Sequence, residues 1–263
     1  MLPIPYEMTT TYIKGTSKGP AAILEASKNL EVYDEELGCV AADLGICTLG
    51  NINIKKDPRN MVDAVRKKCL QVINDRKFPV VLGGEHSISI GFAKALKQKF
   101  PDLTVVQFDA HADLRESYLG SRYNHACVMA RIREFSDAVQ VGIRSLSKYE
   151  GKLVKKNNYK ILWAKDIKNP NTCARKILKN ASDNIYITFD LDVLDPGLMS
   201  AVGTPEPGGL RWYDVLAILK KLFQKKNVVG FDVVELCPNK IDNYSNFTAA
   251  KLVYKMLGYK FFS

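Results

Sequence analysis

The chain contains only three histidines, His86, His111 and His125, and all three stand near carboxylates. Asp109-Ala-His111-Ala-Asp113 alternates acid, imidazole and acid. On an extended backbone alternate residues share a face, so these three side chains can point at one centre. Asp190-Leu-Asp192 repeats the alternation, and His86 follows Gly83-Gly84-Glu85. A lone Asp-x-Asp often caps a turn, and a lone histidine is usually a satisfied structural residue. Here four carboxylates and two imidazoles collect just after apolar runs. Carboxylates this close repel and raise one another's pKa values unless cations neutralise them. Oxygen and imidazole donors without thiolate favour manganese-type ions over a structural zinc. Six ligands are too many for one ion with an open position. They suit two ions ~3.5–4 Å apart that activate a shared water near neutral pH. Such a centre, holding hydroxide, is net anionic and attracts a cationic substrate.

The elements that must position these residues read as alternating strands and helices. Short apolar runs predict buried strands at Phe78–Leu82, Leu103–Phe108, Ala138–Val141, Lys160–Trp163, Asn184–Phe189 and Asn227–Phe231. Helical periodicity predicts helices over Asp57–Asp75, Ser87–Phe100, Asn171–Lys179, Trp212–Gln224 and Thr248–Leu257. This alternation implies an α/β fold, a single doubly wound and mostly parallel sheet flanked by helices in three layers. Ligands of such sheets bind beyond the carboxyl ends of the strands. Three runs end alike, VVQF before Asp109, YITF before Asp190 and VVGF before Asp232. The acids therefore gather along one edge.

At 263 residues the chain is expected to form one domain spanning 1–263. No stretch approaches the ~20 apolar residues of a membrane span, and the start lacks the pattern of a secretory signal. A cytoplasmic protein with no membrane partner is the expectation. The six cysteines include no C-x-x-C pair and are expected to be reduced. The net charge of +10 raises the question of nucleic acid. The lysines, however, are scattered in pairs such as Lys55–Lys56, Lys67–Lys68 and Lys155–Lys156, so no nucleic-acid partner is expected.

Several motifs occur together in order: GGEHSIS at 83–89, FDAHADLR at 108–115, NHACVM at 124–129, FDLDVLDP at 189–196, GTPEPGGL at 203–210 and VELCP at 234–238. From about residue 20 onward the chain resembles the arginase–agmatinase (ureohydrolase) family. The segment DLRESYLG at 113–120 and the short length look most like bacterial and archaeal agmatinases. The resemblance implies two Mn²⁺ per subunit, one held by His86 and Asp113, the other by His111 and Asp192, with Asp109 and Asp190 bridging both. It implies that His125 protonates the departing amine and that Glu235 orients the guanidinium. On chemical grounds alone, the proton the amine needs could come from His125 or Asp113. The resemblance further implies a homotrimer or homohexamer.

The substrate implied is a small guanidinium compound, agmatine first, with arginine, aminopropylagmatine or guanidinobutyrate as alternatives. Agmatine ends in an ammonium, so its pocket needs acceptors. Glu116, and Glu206 in the long Gly/Pro-rich segment Pro196–Gly209, are the candidate distal contacts. Asp232 is either a support behind the metal ligands or a plain structural residue. Two rivals remain. A one-zinc deacetylase of the related fold would leave His86, Asp113 and Asp192 superfluous. A basic nucleic-acid-binding or scaffold protein without activity would not keep all six ligand positions filled.

Overall fold

The computed structural model describes residues 1–52, 54 and 57–263; the Lys55–Lys56 pair lies outside them. The strands in chain order are β1 (Leu2–Ile4), β2 (Tyr33–Asp34), β3 (Cys39–Val40), β4 (Val80–Gly83), β5 (Thr104–Phe108), β6 (Asp137–Ile143), β7 (Lys160–Trp163), β8 (Asn184–Asp190) and β9 (Asn227–Val234). Strands β2 and β3 pair as a separate antiparallel hairpin. The other seven form one parallel sheet in the order β1-β4-β9-β8-β5-β6-β7.

The helices are α1 (Gly19–Ser27), α2 (Pro58–Asn74), α3 (Ser89–Lys99), α4 (Val128–Ile132), α5 (Lys148–Asn157), α6 (Pro170–Asn180), α7 (Trp212–Lys225) and α8 (Tyr244–Phe262). Several starts are written locally: Asp57 and Asn169 accept from backbone N–H groups at the heads of α2 and α6, each followed by proline. Ser147 and Glu150 form a capping box on α5.

Because successive strand residues face opposite sides, the apolar runs feed two cores. Val80, Leu82, Val106, Phe108, Ile187 and Phe189 pack with α1, α6, α7 and α8. Val81, Val105 and Tyr186 pack with α2, α3, α4 and α5. The helix-flanked parallel sheet is the architecture the alternation implies. Strand β4 begins two residues later than expected, and β6 and β9 run longer. Asp232 therefore lies inside β9, paired with Thr188, rather than at its end. Among the described residues all six cysteines are free, and no helix is long and apolar enough to cross a membrane.

Candidate metal centre

The carboxyl ends of β4, β5, β8 and β9 deliver the side chains. Asp109 follows β5 directly, and its N–H still bonds Val141 O at 3.0 Å. His111 keeps a parallel bridge to Ser145. The extended alternation then breaks, contrary to expectation. Asp113 takes a left-handed φ of 52°, which turns its carboxylate back to the centre while its carbonyl accepts from Met129 and Ala130 at the head of α4. Such a conformation is uncommon for a residue with a Cβ, and Asp tolerates it better than most. Glu235, one residue beyond β9, has a φ of 66°. Asp190 closes β8, and its Oδ1 caps a short turn by accepting from Asp192 N at 2.9 Å.

The result is two groups of donors sharing one carboxylate: His86, Asp109 and Asp190; and Asp109, His111 and Asp192. His86 Nδ1 lies 3.1 Å from Asp109, 3.2 Å from Asp113 and 3.4 Å from Asp190. His111 Nδ1 lies 2.8 Å from Asp192 Oδ2 and 3.6 Å from Asp109. His86 Nδ1 is buried and, among the described residues, has no hydrogen-bond partner. A buried imidazole nitrogen facing three carboxylates without bonding any fits a cation at their centre. The donor set, oxygen plus imidazole, fits hard to borderline divalent ions.

Without cations the pKa values of the carboxylates are driven apart. Burial opposes charge on Asp109, yet His111 and His86 hold it well below its ordinary value, while its neighbours move up. Burial pushes Asp113 up to about 7, with help from Asp109. It also raises Asp190, with Asp192 and Asp109 adding to it. Burial opposes charge on His86 and His111, yet the surrounding carboxylates win. His86 is held well above its ordinary value and His111 at about 12. Protons on the histidines, Asp113 and Asp190 thus offset part of the negative charge in the metal-free protein, and divalent ions are their natural replacement.

Behind the candidate ligands runs a polar row of which the sequence had pointed only to Asp232. Gln140, Gln107, Thr188 and Asp232 sit at matched register on β6, β5, β8 and β9. Gln140 donates to Gln107 at 2.6 Å, and Gln107 donates to Asp109 Oδ2 at 2.6 Å. Thr188 Oγ1 lies 2.9 Å from His86 Nε2 and donates to Asp232 Oδ1 at 2.8 Å. Asp232 also accepts from the Ser89 and Tyr186 hydroxyls. Since Thr188 gives its proton to Asp232, it accepts from His86 Nε2–H. That leaves the Nδ1 lone pair for the centre. Gln107 and Thr188 each stand two residues before a strand-end aspartate, so the period of two was the available signal.

His125 opens a short turn capped by Asn124 and lines the same cavity as His86, His111 and Glu235. Burial, then His111 and His86, lower it to about 4. The Tyr118 ring meets it edge-on at 6.3 Å. Glu235 Oε1 accepts from His86 N at 2.6 Å, and burial raises its carboxyl to about 8. The cavity measures 330 Å³. Glu206 is not part of its lining but lies 3.8 Å from His111 Nε2. Its loop is tied down by Arg144, which donates to the carbonyls of Asp192, Glu206 and Pro207. Glu116 is turned away from the cavity lining and is engaged by Arg122 and Arg131 at 2.6 Å each. Glu150, not singled out from the sequence, lies in the cavity wall. Its oxygens accept from Leu114 N and Ser147 N.

The chain belongs to the arginase family, whose description "Arginase family" matches residues 1–258. The likeness thus reaches the first residues, which the motif resemblance did not include. It is an arginase-family ureohydrolase, an enzyme that hydrolyses guanidino C–N bonds. It is 43% identical to the N(1)-aminopropylagmatine ureohydrolase of Synechocystis sp., over 98% of this chain and 88% of that one. It is 36% identical to the agmatinase of Pyrococcus horikoshii, over 98% and 90%. The solved agmatine ureohydrolase of Thermoplasma volcanium superposes with a TM-score of 0.91 at 33% identity, over 98% and 88%.

Proposed function

We propose that the chain is a binuclear manganese ureohydrolase that converts agmatine to putrescine and urea. The observation that carries this reading is the sharing of Asp109 between two donor groups, beside a buried, unpartnered His86 Nδ1. His86, Asp113 and Asp190 with Asp109 would hold one ion; His111 and Asp192 with Asp109 and Asp190 would hold the other. Bound there, two divalent ions acidify a shared water and so supply the nucleophile.

The chain's own residues do the rest. Glu235, anchored by His86 N–H, presents a carboxylate to the planar guanidinium and orients its carbon. His125, at the cavity wall, gives a proton to the departing amine. For the distal ammonium, Glu206 beside His111 and Glu150 in the wall offer carboxylates. Glu150 is the one acidic lining residue, among those described, outside the cluster around the histidines.

A second substrate, N(1)-aminopropylagmatine, is favoured by the name of the 43% identical relative. The deciding experiment is urea release from manganese-loaded protein, with agmatine, aminopropylagmatine, arginine and guanidinobutyrate assayed side by side. The highest kcat/KM is expected with agmatine. Preference for aminopropylagmatine would shift the substrate within the class. Urea from none of them, with two ions bound, would refute the reading.

A further inference from the structure

We infer that Thr9 and Glu85 fix the tautomer of His125, keeping the neutral ring's proton on Nδ1 and leaving Nε2 as the nitrogen that exchanges protons. The inference rests on the proposed role of His125 as proton donor, but its geometry stands independently. Thr9 is 116 residues from His125 and 76 from Glu85, yet its hydroxyl touches both.

A hydroxyl has one proton to give and two lone pairs to receive with. Glu85 is fully buried after β4, and both its oxygens act as acceptors. Oε2 takes the N–H groups of Met8 and Thr9, at 2.5 and 2.7 Å. Oε1 takes the Ser87 hydroxyl and, at 2.7 Å, the Thr9 hydroxyl. The single proton of Thr9 is therefore committed to Glu85. One Thr9 lone pair receives the His125 backbone N–H at 3.0 Å. The other faces His125 Nδ1 at 3.1 Å. An unprotonated Nδ1 would set lone pair against lone pair; a protonated one completes the count.

Imidazole in water prefers its proton on Nε2, so the protein imposes the minor form. The hydrogen bond on one ring nitrogen decides the state of the other. With Nδ1–H held, uptake and delivery of a proton both occur at Nε2, and the carboxylate behind Thr9 steadies the ring when it is charged. Thr9 is thus a positioning residue, placed by the segment that follows edge strand β1. That segment is locked to the sheet by Gly84 N–H on Ile4 O and Glu85 N–H on Tyr6 O, each at 2.9 Å. A latch of the N-terminal segment alone would explain the Thr9–Glu85 bonds, but not the placing of the same hydroxyl 3.1 Å from His125 Nδ1.

The test uses the full chain labelled with ¹⁵N-histidine. The chain has three histidines, and the His125 signals are identified by their loss in His125→Asn. Ring ¹⁵N shifts and one-bond N–H couplings are read at pH 8, metal-free and zinc-loaded. Nδ1–H is expected in the native protein, and a shift toward Nε2–H in Thr9→Val. In manganese-loaded Thr9→Val, kcat is expected to fall on the order of 10–100-fold, with KM little changed. Thr9→Ser, which keeps the hydroxyl, recovers both properties. An Nε2–H tautomer in the native protein overturns the inference, whatever Thr9→Val does. So does a Thr9→Val protein that loses turnover while keeping Nδ1–H, since the role would then be structural. If no guanidinium compound yields urea, the proposed reaction fails while the tautomer measurement still decides this inference.

Discussion

Thr188→Val removes one hydroxyl and keeps the side chain's shape, at a fully buried position behind the candidate metal centre. The hydroxyl accepts from His86 Nε2 at 2.9 Å and donates to Asp232 Oδ1 at 2.8 Å. Valine leaves the His86 N–H buried and unpaired, a cost of about 1–3 kcal/mol. Asp232 keeps donors from Ser89, Tyr186 and Phe189, so its loss adds only about 1 kcal/mol. The metal-free variant should unfold with about 3 kcal/mol less stability, read by urea denaturation. The consequence for metal is sharper. The His86 ring loses the partner that aims Nδ1, so the ion it holds should bind on the order of 10–100-fold more weakly. The ion held by His111 and Asp192 should be nearly unaffected. Titration with manganese, following free Mn²⁺ by electron paramagnetic resonance, resolves the two steps. Equal weakening of both steps, or of neither, would refute the role given to Thr188.

Other perturbations separate ligand from proton donor. Asp109→Asn removes the carboxylate shared by both donor groups. It should lower metal content, measured by mass spectrometry, and activity together. His125→Ala should retain both ions while kcat falls about 10²–10⁴-fold; loss of metal there would overturn the assignment. Stability should also respond to pH. Asp113 and Glu235, ordinarily at 3.8 and 4.5, stand at about 7 and 8 when the protein is folded without metal, chiefly through burial. The folded state then holds protons the unfolded state has released, so stability falls as pH rises toward 8. His111, raised to about 12, acts in the same sense above its ordinary 6.5. His125, lowered to about 4, acts oppositely, but its effect is complete above 6.5. Manganese replaces those protons, so the rise in Tm on adding it should be larger at pH 8 than at pH 6.5. The reverse order in differential scanning fluorimetry would count against these carboxylates as ligands.

The strands bearing Asp109 and Asp190 were legible because strands buried on both faces read as unbroken apolar runs ending where the chemistry begins. Asp109, His111, Asp190 and Asp192 come together as their spacing implies. Asp113 does so by a left-handed turn that alternation does not encode. Strand β1 was missed because three residues carry no period. Helices α1, α4 and α5 were missed with it. Asp232 was misplaced because VVGFD looks like the other two strand ends, whereas the chain continues through Val233 and Val234, pairing with β8 up to Asp190. Thr9 and Glu85 were illegible for another reason. Their role exists only in contacts spanning 76 and 116 residues, and nothing in the local sequence of either specifies the other.

The sheet order sets a schedule for assembly. Strand β9, the last of these seven in chain order, lies between β4 and β8. Until it inserts, the loop carrying His86 and the strand end carrying Asp190 have no common frame. The His111–Asp192 half is carried by the adjacent pair β5 and β8, so it can form while β9 is still in the ribosome. One ion can be gathered early, but the second must wait for the C-terminal quarter of the chain. If the centre holds two ions as proposed, two-ion occupancy would mark a chain in which β9 is in place.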